Sequence, residues 1–118
     1  MPANSTVYIA NPDTDQRVPG ADLGGTFPDV PINGNQDVAS AATAVQLTAN
    51  AKRGYLIIKA KTSNTNNIYV GDSSVAAANG YILAAGEAVA VGSDNLSEWY
   101  IDADTNGEGV TFVGAYIT

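Results

Sequence analysis

The sequence lacks two of the residues that most enzymes and metal sites depend on: its 118 residues include no cysteine and no histidine. A Ser-His-Asp triad, a cysteine nucleophile and a zinc site with nitrogen or sulfur ligands are therefore excluded. The stretch Gly71-Asp72-Ser73-Ser74 is similar to the serine motif of some esterases, but those enzymes need a histidine base. Chemistry by carboxylates alone remains open, yet most acidic residues stand beside Gly, Asn, Ser or Thr, as in solvated turns. We expect a protein that is not an enzyme.

Basic residues and long apolar runs are also scarce. Five Lys and Arg stand against 12 Asp and Glu, for a net charge of −7. Nucleic-acid binding needs clustered basic residues, so we expect no nucleic-acid partner. No apolar run approaches the ~20 residues of a membrane helix, so we expect no membrane partner. The N-terminus has neither the basic region nor the hydrophobic segment of a signal peptide, which predicts synthesis and folding in a cytoplasm.

All five prolines precede residue 37, and the chain after it has none. Proline removes a backbone donor and favours extended geometry before it, so residues 1–36 cannot form a long helix or a central strand. The segment has more apolar residues than a disordered tail usually carries. We predict an extended arm that lies in a groove of its own domain or of a neighbour, the alternative being a flexible tail. Its candidate contact residues are Val7, Tyr8, Ile9, Leu23, Phe27, Val30 and Ile32.

Residues 37–118 read as short strands separated by turn signals about every ten residues, which is typical of a sandwich or small barrel. We predict an all-β domain, a small antiparallel β-sandwich or barrel. In the segment 54–61, alternation places Leu56, Ile58 and Ala60 on one face. The Ala-rich segment 37–44 fits one helical turn. The other predicted strand segments are 44–49, 67–71, 80–93 with a break at Gly86, 97–103 and 109–118.

The segment 102–109, DADTNGEG, fits two structures. Oxygen-bearing side chains at Asp102, Asp104 and Asn106, followed by glycine, are typical of the first half of a calcium loop. Such a loop would need an acid at its last position, where Val113 stands. Asn106-Gly107 also suits a tight β-hairpin turn, because both residues tolerate positive φ. We predict the hairpin and no cofactor. An open calcium site that uses Asp102, Asp104 and Asn106 is the alternative.

Four of the five basic residues lie within the segment 52–61, at Lys52, Arg53, Lys59 and Lys61. On an acidic chain they form a local positive patch. One interpretation is a solvated strand face, or a strand edge that lysine protects from aggregation. The other is an electrostatic contact of Lys59 and Lys61 with an acidic partner.

Aromatic residues are few, and most stand in the second half of the chain. They could line a sugar-binding platform, but tyrosine more often fills a core or a subunit interface. We favour the core and interface roles for this set, which is Tyr69, Tyr81, Trp99, Tyr100 and Tyr116.

From about residue 45 to its C-terminus, the chain resembles small structural proteins of tailed bacteriophage virions. The resemblance is carried by "IYVG" at a strand end, an "NG…L..GE" turn and "DNL…YID" before a glycine-containing hairpin. It implies a β-sandwich module that binds virion proteins without catalysis. We expect a capsid decoration or cement protein that binds the major capsid protein on the outer surface of the head, located in the virion.

The small size of the domain also predicts that it associates with other proteins. A domain of about 80 residues is often marginal alone, so we also expect self-association as a homotrimer or homodimer. A tail or head-fibre module that adheres to host glycans, and a bacterial surface domain with no viral role, are the alternatives.

Overall fold

The computed structural model describes residues 27–118, which form two four-stranded antiparallel sheets and no α-helix. No helix in this range is long and apolar enough to span a membrane. Sheet A has the strand order β1-β8-β3-β6 and sheet B the order β2-β7-β4-β5. The strands are β1 (Val30–Asp37), β2 (Val45–Gln46), β3 (Gly54–Ala60), β4 (Ile68–Gly71), β5 (Tyr81–Leu83), β6 (Ala88–Ser93), β7 (Tyr100–Ala103) and β8 (Gly109–Tyr116).

The described chain crosses from one sheet to the other at nearly every connection. Only β4 and β5 follow each other within one sheet; every other consecutive pair of strands lies in different sheets. One hydrophobic cluster joins residues of both sheets, including Leu56 and Phe112 of sheet A and Ile68 and Ile101 of sheet B. The prediction of an all-β domain is confirmed, and the arrangement is compatible with a small β-sandwich.

Alternation along β3 decides which of its side chains enter this core. Leu56, Ile58 and Ala60 are fully buried, as predicted, whereas Tyr55 and Ile57 are 43% and 42% exposed. β3 lies between β8 and β6, so its backbone is hydrogen-bonded on both sides. The strand therefore contributes one face to the core and the other to the protein surface.

The described sheet begins ahead of the predicted domain boundary at residue 37. The last part of the predicted arm forms β1, which pairs along its length with β8. Pro31 is compatible with this strand because β1 is an edge strand and proline has no N–H to donate. Gly34 faces the core, where an added Cβ would come within 2.5 Å of the Phe112 ring. The segment 30–36 is thus part of the folded domain.

Two local predictions are wrong. The segment 37–44 forms turns instead of a helical turn, and Ala42 has a positive φ of 68°. Its backbone donors are used elsewhere: the Ala41 N–H bonds the Asn106 side chain and the Ala42 N–H bonds the Ala103 carbonyl. The segment 97–103 is only partly strand, because a 3₁₀ helix at Leu96–Glu98 precedes β7. The Asn95 side chain caps that helix by accepting the Ser97 N–H.

We predict that truncation on the two faces of β3 has very different effects. Leu56→Ala should lower the free energy of unfolding by about 3 kcal/mol, because it leaves a cavity in a fully buried site. Ile57→Ala, the neighbouring control on the exposed face, should change it by about 1 kcal/mol or less. Urea unfolding followed by tryptophan fluorescence measures both. Equal losses for the two variants would contradict the assignment of faces.

Candidate functional site

The side of sheet A that points away from the core forms a mostly apolar surface, which we call the outer face. Its members are the residues of each strand that alternate with the core residues. By strand they are Pro31, Asn33, Asn35 and Asp37 of β1; Thr111, Val113 and Ala115 of β8; Tyr55, Ile57 and Lys59 of β3; and Ala88, Ala90 and Gly92 of β6.

The register of the sheet brings apolar side chains together in the centre of the outer face. Ile57 pairs with Val113 on one side and with Ala90 on the other. Ile57 is 42% exposed and Val113 is 52% exposed, and Tyr55 stands on the same side of the same strand. Contiguous exposed apolar side chains of this kind are typical of surfaces that bind other proteins. The outer face is therefore the strongest candidate for a functional site.

One end of the outer face carries charged side chains. Lys59 is exposed beside Thr111, and no carboxylate of the described residues pairs with it. Lys61, just past the strand, has its Nζ 2.7 Å from a carboxylate oxygen of Asp37. Because β3 is an inner strand, Lys59 does not protect a sheet edge, and that part of the first interpretation is wrong, whereas the exposed position of Lys59 fits a solvated strand face. Among residues 27–118, Lys59 is thus a positive charge without a paired carboxylate, next to an apolar surface.

The predicted contact residues of the arm fall into three groups. Val7, Tyr8, Ile9 and Leu23 lie outside the described residues. Phe27 is 83% exposed. Val30 and Ile32 lie in β1, where Ile32 packs against the core of its own chain. Of the candidates in the described range, Phe27 is the side chain most available to a partner.

The DADTNGEG segment is not a hairpin. β7 belongs to sheet B and β8 to sheet A, so the segment carries the chain from one sheet to the other. Of its two turn residues, Gly107 has a positive φ of 83° but Asn106 does not. The Gly107 N–H bonds the Val38 carbonyl at 2.7 Å, instead of closing a hairpin. The turn was located correctly from the sequence, but the positive φ expected at Asn106 and the pairing of the two flanking strands were wrong.

The oxygen atoms of this connection bind groups of the protein itself. Asn106 accepts the Ala41 N–H at 2.7 Å, Asp104 accepts the Tyr69 hydroxyl at 2.9 Å, and the buried Asp102 accepts the Ala103 N–H at 2.8 Å. Among residues 27–118, no cluster of three or more Asp, Glu, His or Cys could hold a metal. The three side chains proposed for calcium thus point to three separate donors.

Glu108 and Asn64 also bind in this region, where the β7–β8 connection meets the β3–β4 loop, which we call the junction. Neither residue was predicted from the sequence. Glu108 accepts the backbone N–H and the hydroxyl of Thr65 and the N–H of Asn66, at 2.6, 2.7 and 3.2 Å. These bonds lower the pKa of its carboxyl group, with the Thr65 hydroxyl the largest cause. The buried Asn64 side chain bonds both the carbonyl and the N–H of Gly109. The junction therefore has a structural role, since it ties the β3–β4 loop to the β7–β8 connection.

Tyr69 is held in the same region by burial and by carboxylates. It is 6% exposed, and its hydroxyl lies 2.9 Å from each carboxylate oxygen of Asp104. Burial raises the pKa of the Tyr69 hydroxyl, and donation to Asp104 and the charges of Asp104 and Asp102 raise it further, while a hydrogen bond with Asn67 lowers it. The neutral phenol is therefore the form that the fold stabilises.

The aromatic residues do not form one platform. Tyr69 is buried in β4, Tyr116 lies in sheet A and packs against the core, and Tyr81 is 61% exposed on the edge strand β5. Trp99 also packs against the core. Tyr100 lies at an open depression that is lined by Gln46, Asp72, Ser73, Ser97 and Glu98.

Comparisons with family models, with curated proteins and with solved structures found no significant match to this chain.

We predict that Tyr69→Phe is less stable than the wild type by about 1–2 kcal/mol at pH 7, because Asp104 loses a donor. The folded-state pKa of Tyr69 is raised, so its stabilising contribution is complete below about pH 10 and is lost as pH rises through the folded value. The difference between the two proteins should therefore shrink at alkaline pH.

Urea unfolding at a series of pH values from 7 upward measures this difference. Tyr55→Phe, which changes an exposed tyrosine of sheet A, is the control and should match the wild type throughout. A constant difference between Tyr69→Phe and the wild type across the whole range would contradict the role assigned to the hydroxyl.

Proposed function

We propose that the protein is a capsid decoration or cement protein of a tailed bacteriophage, a small β-sandwich that binds the major capsid protein on the outer surface of the head and stabilises the shell. The outer face of sheet A carries this proposal, because it offers a mostly apolar surface with the exposed Lys59 at one end. The sequence resemblance between residue 45 and the C-terminus supports the same class of protein. The proposed location is the virion.

Apolar burial would supply the binding energy. Tyr55, Ile57 and Val113 are each about half exposed, so covering each of them contributes on the order of 1 kcal/mol. That is modest for one copy, since association also costs rotational and translational freedom. A shell presents many identical sites, and a self-associated protein that engages several of them gains much more than a single contact.

Charge complementarity would orient the protein on the shell. The chain has a net charge of −7, so most of its surface repels an acidic shell, whereas Lys59 attracts it. A partner with an apolar patch bordered by carboxylates fits this distribution. The outer face would therefore be the side that meets the shell.

The arm retains its predicted role as a clamp on a neighbour or on the shell, through Val7, Tyr8 and Ile9. A deletion that tests this role must end before Phe27, because Val30–Asp37 is a strand of sheet A. Removal of residues 1–36 would also remove most of β1. A loss of binding could then result from unfolding as well as from the missing arm.

We predict that Ile57→Ser and Val113→Ser each weaken binding to capsids about tenfold, because each removes apolar area from the contact. The measurement is co-sedimentation of purified protein with heads of the encoding phage that lack it. Ile82→Ser is the matched control, since Ile82 is 54% exposed on the edge strand β5 of sheet B and should not contact the shell. Equal losses for all three variants, or no binding by the wild type, would contradict the proposal.

Salt dependence gives a separate readout of the contact at Lys59. Lys59→Glu should reduce binding most at low ionic strength, where the charge of Lys59 is least screened. Lys52→Glu, the same charge reversal at an exposed residue of the β2–β3 loop, at the opposite end of β3, is the control. Cryo-electron microscopy of whole particles should then place the protein at icosahedral positions on heads. A location on tails would contradict the decoration role.

A glycan-binding tail or head-fibre module is the second candidate, and the depression at Tyr100 is the observation that favours it. An aromatic face beside Gln46, Asp72 and Glu98 suits a sugar, which needs a stacking surface and hydrogen-bonding groups. We predict that, if this function holds, the wild type binds on a glycan array and Tyr100→Ala does not. An array without signal for the wild type removes this candidate.

A further inference from the structure

The two described sheets have four edges, and only one of them is a long strand without proline or charge. β2 has two residues and β5 has three, and strands this short are poor templates for another chain. β1 has eight residues but carries Pro31. β6 has six residues, AVAVGS, with no proline and no charged residue. Natural sheets usually protect such an edge with proline or charged residues, so the lack of both in β6 requires an explanation.

The hydrogen bonds of β3 show which groups of β6 are free. The Ala60 N–H bonds the Glu87 carbonyl at 2.9 Å, and the Lys61 N–H bonds the Gly109 carbonyl at 3.1 Å on the opposite side of β3. In an antiparallel ladder these directions alternate, so Val89 and Val91 direct their backbone groups towards β3. Ala88, Ala90 and Gly92 direct theirs away from the sheet.

No backbone group of the described residues pairs with the outward groups of Ala88, Ala90 and Gly92. Their side chains are two methyl groups and a hydrogen, and all three residues are exposed. A second strand could therefore approach without a steric obstacle. The outward backbone N–H and C=O groups, more than the small side chains, would bind a partner strand.

We propose that β6 pairs in antiparallel register with β6 of a second copy of this chain, about a twofold axis at Ala90. Ala90 would face the partner subunit's Ala90, and Ala88 would face the partner's Gly92. The three outward residues of each copy would then exchange about six backbone hydrogen bonds. The two A sheets would join into one eight-stranded sheet.

The sequence of β6 is self-complementary in this register, which favours a second copy over an unrelated strand. Small residues meet small residues on the outer face, and Val89 meets the partner's Val91 on the inner side. Glu87 would face the partner's Ser93, so no like charges are directly opposed. The nearby Asp94 is paired with Arg53 at 2.9 Å within its own chain.

This pairing would extend the outer face. The central row of one copy runs Val113, Ile57, Ala90 and would continue into the partner's Ala90, Ile57 and Val113. At about 4.8 Å between strands, the apolar row would span roughly 24 Å. The dimer interface does not rest on the capsid role, but it would provide the two-site contact that role needs.

The first test compares proline substitutions at the two long edges. Ala90→Pro removes an outward N–H from β6 without breaking a bond to β3, and Asn33→Pro makes the same kind of change on β1. Sedimentation equilibrium of the full chain should give a dimer, twice 12.1 kDa, with a dissociation constant that is roughly micromolar. Ala90→Pro should raise that constant at least tenfold, and Asn33→Pro should not.

The second test measures the register of the β6–β6 contact. It uses cysteine variants, so it remains informative even if Ala90→Pro does not fold. The chain has no cysteine, so single cysteines report only the new contact. Ala90→Cys should form a disulfide-linked dimer on mild oxidation, because facing Cα atoms would lie about 5.5 Å apart. Ala88→Cys is the matched control, since its two copies would be roughly 14 Å apart and should remain unlinked.

Three results would overturn the proposal. The wild type could remain a monomer at millimolar concentration, Ala90→Pro could dimerise as tightly as the wild type, or Ala88→Cys could cross-link as readily as Ala90→Cys. A monomer whose Ala90 amide still exchanges slowly with deuterium would indicate that another segment of the same chain, such as residues 5–9, covers the edge.

Discussion

Contact between the apolar inner faces of the two sheets is the interaction on which the rest of the structure depends. Leu56, Ile58 and Phe112 of sheet A meet Ile68 and Ile101 of sheet B in one cluster. Neither sheet has another described layer to cover it, so each needs the other to remove its apolar face from water. Because the inner-face residues are buried in this contact, the residues that alternate with them along each strand form the protein surface.

Polar side chains fasten the connections by which the chain crosses between the two sheets. The connection from β7 to β8 uses Asp104, Asn106 and Glu108 to hold Tyr69, the 37–44 segment and the β3–β4 loop. Each bond satisfies a donor that would otherwise compete with the strands for partners. The acidic residues and Asn106 that resemble a cation site in the sequence instead fasten two loops and strand β4 to this connection.

Apart from the core and the junction, two features of sheet A have no partner among residues 27–118. They are the apolar outer face around Ile57 and the open edge of β6. Both lie on the same sheet, and Ala90 belongs to both. Sheet B differs, since its edge strands are only two and three residues long. The asymmetry suggests that sheet A is used for association, and the proposals of self-pairing and of docking on a shell both follow from it.

The sequence by itself determined the all-β class, the strand at β4, the break at Gly86 and the buried side of β3, because these depend on local alternation and on residues with special backbone preferences. Only the tertiary structure decided what lies beyond each strand. Asn106-Gly107 marks a turn in either case, yet whether its flanking strands pair depends on contacts distant in sequence. Likewise, Tyr55 and Ile57 alternate with the core residues in any sheet, but whether they face water or a further layer depends on how the sheets stack. Strand order made β3 internal and β6 an edge, and no local pattern carries that information.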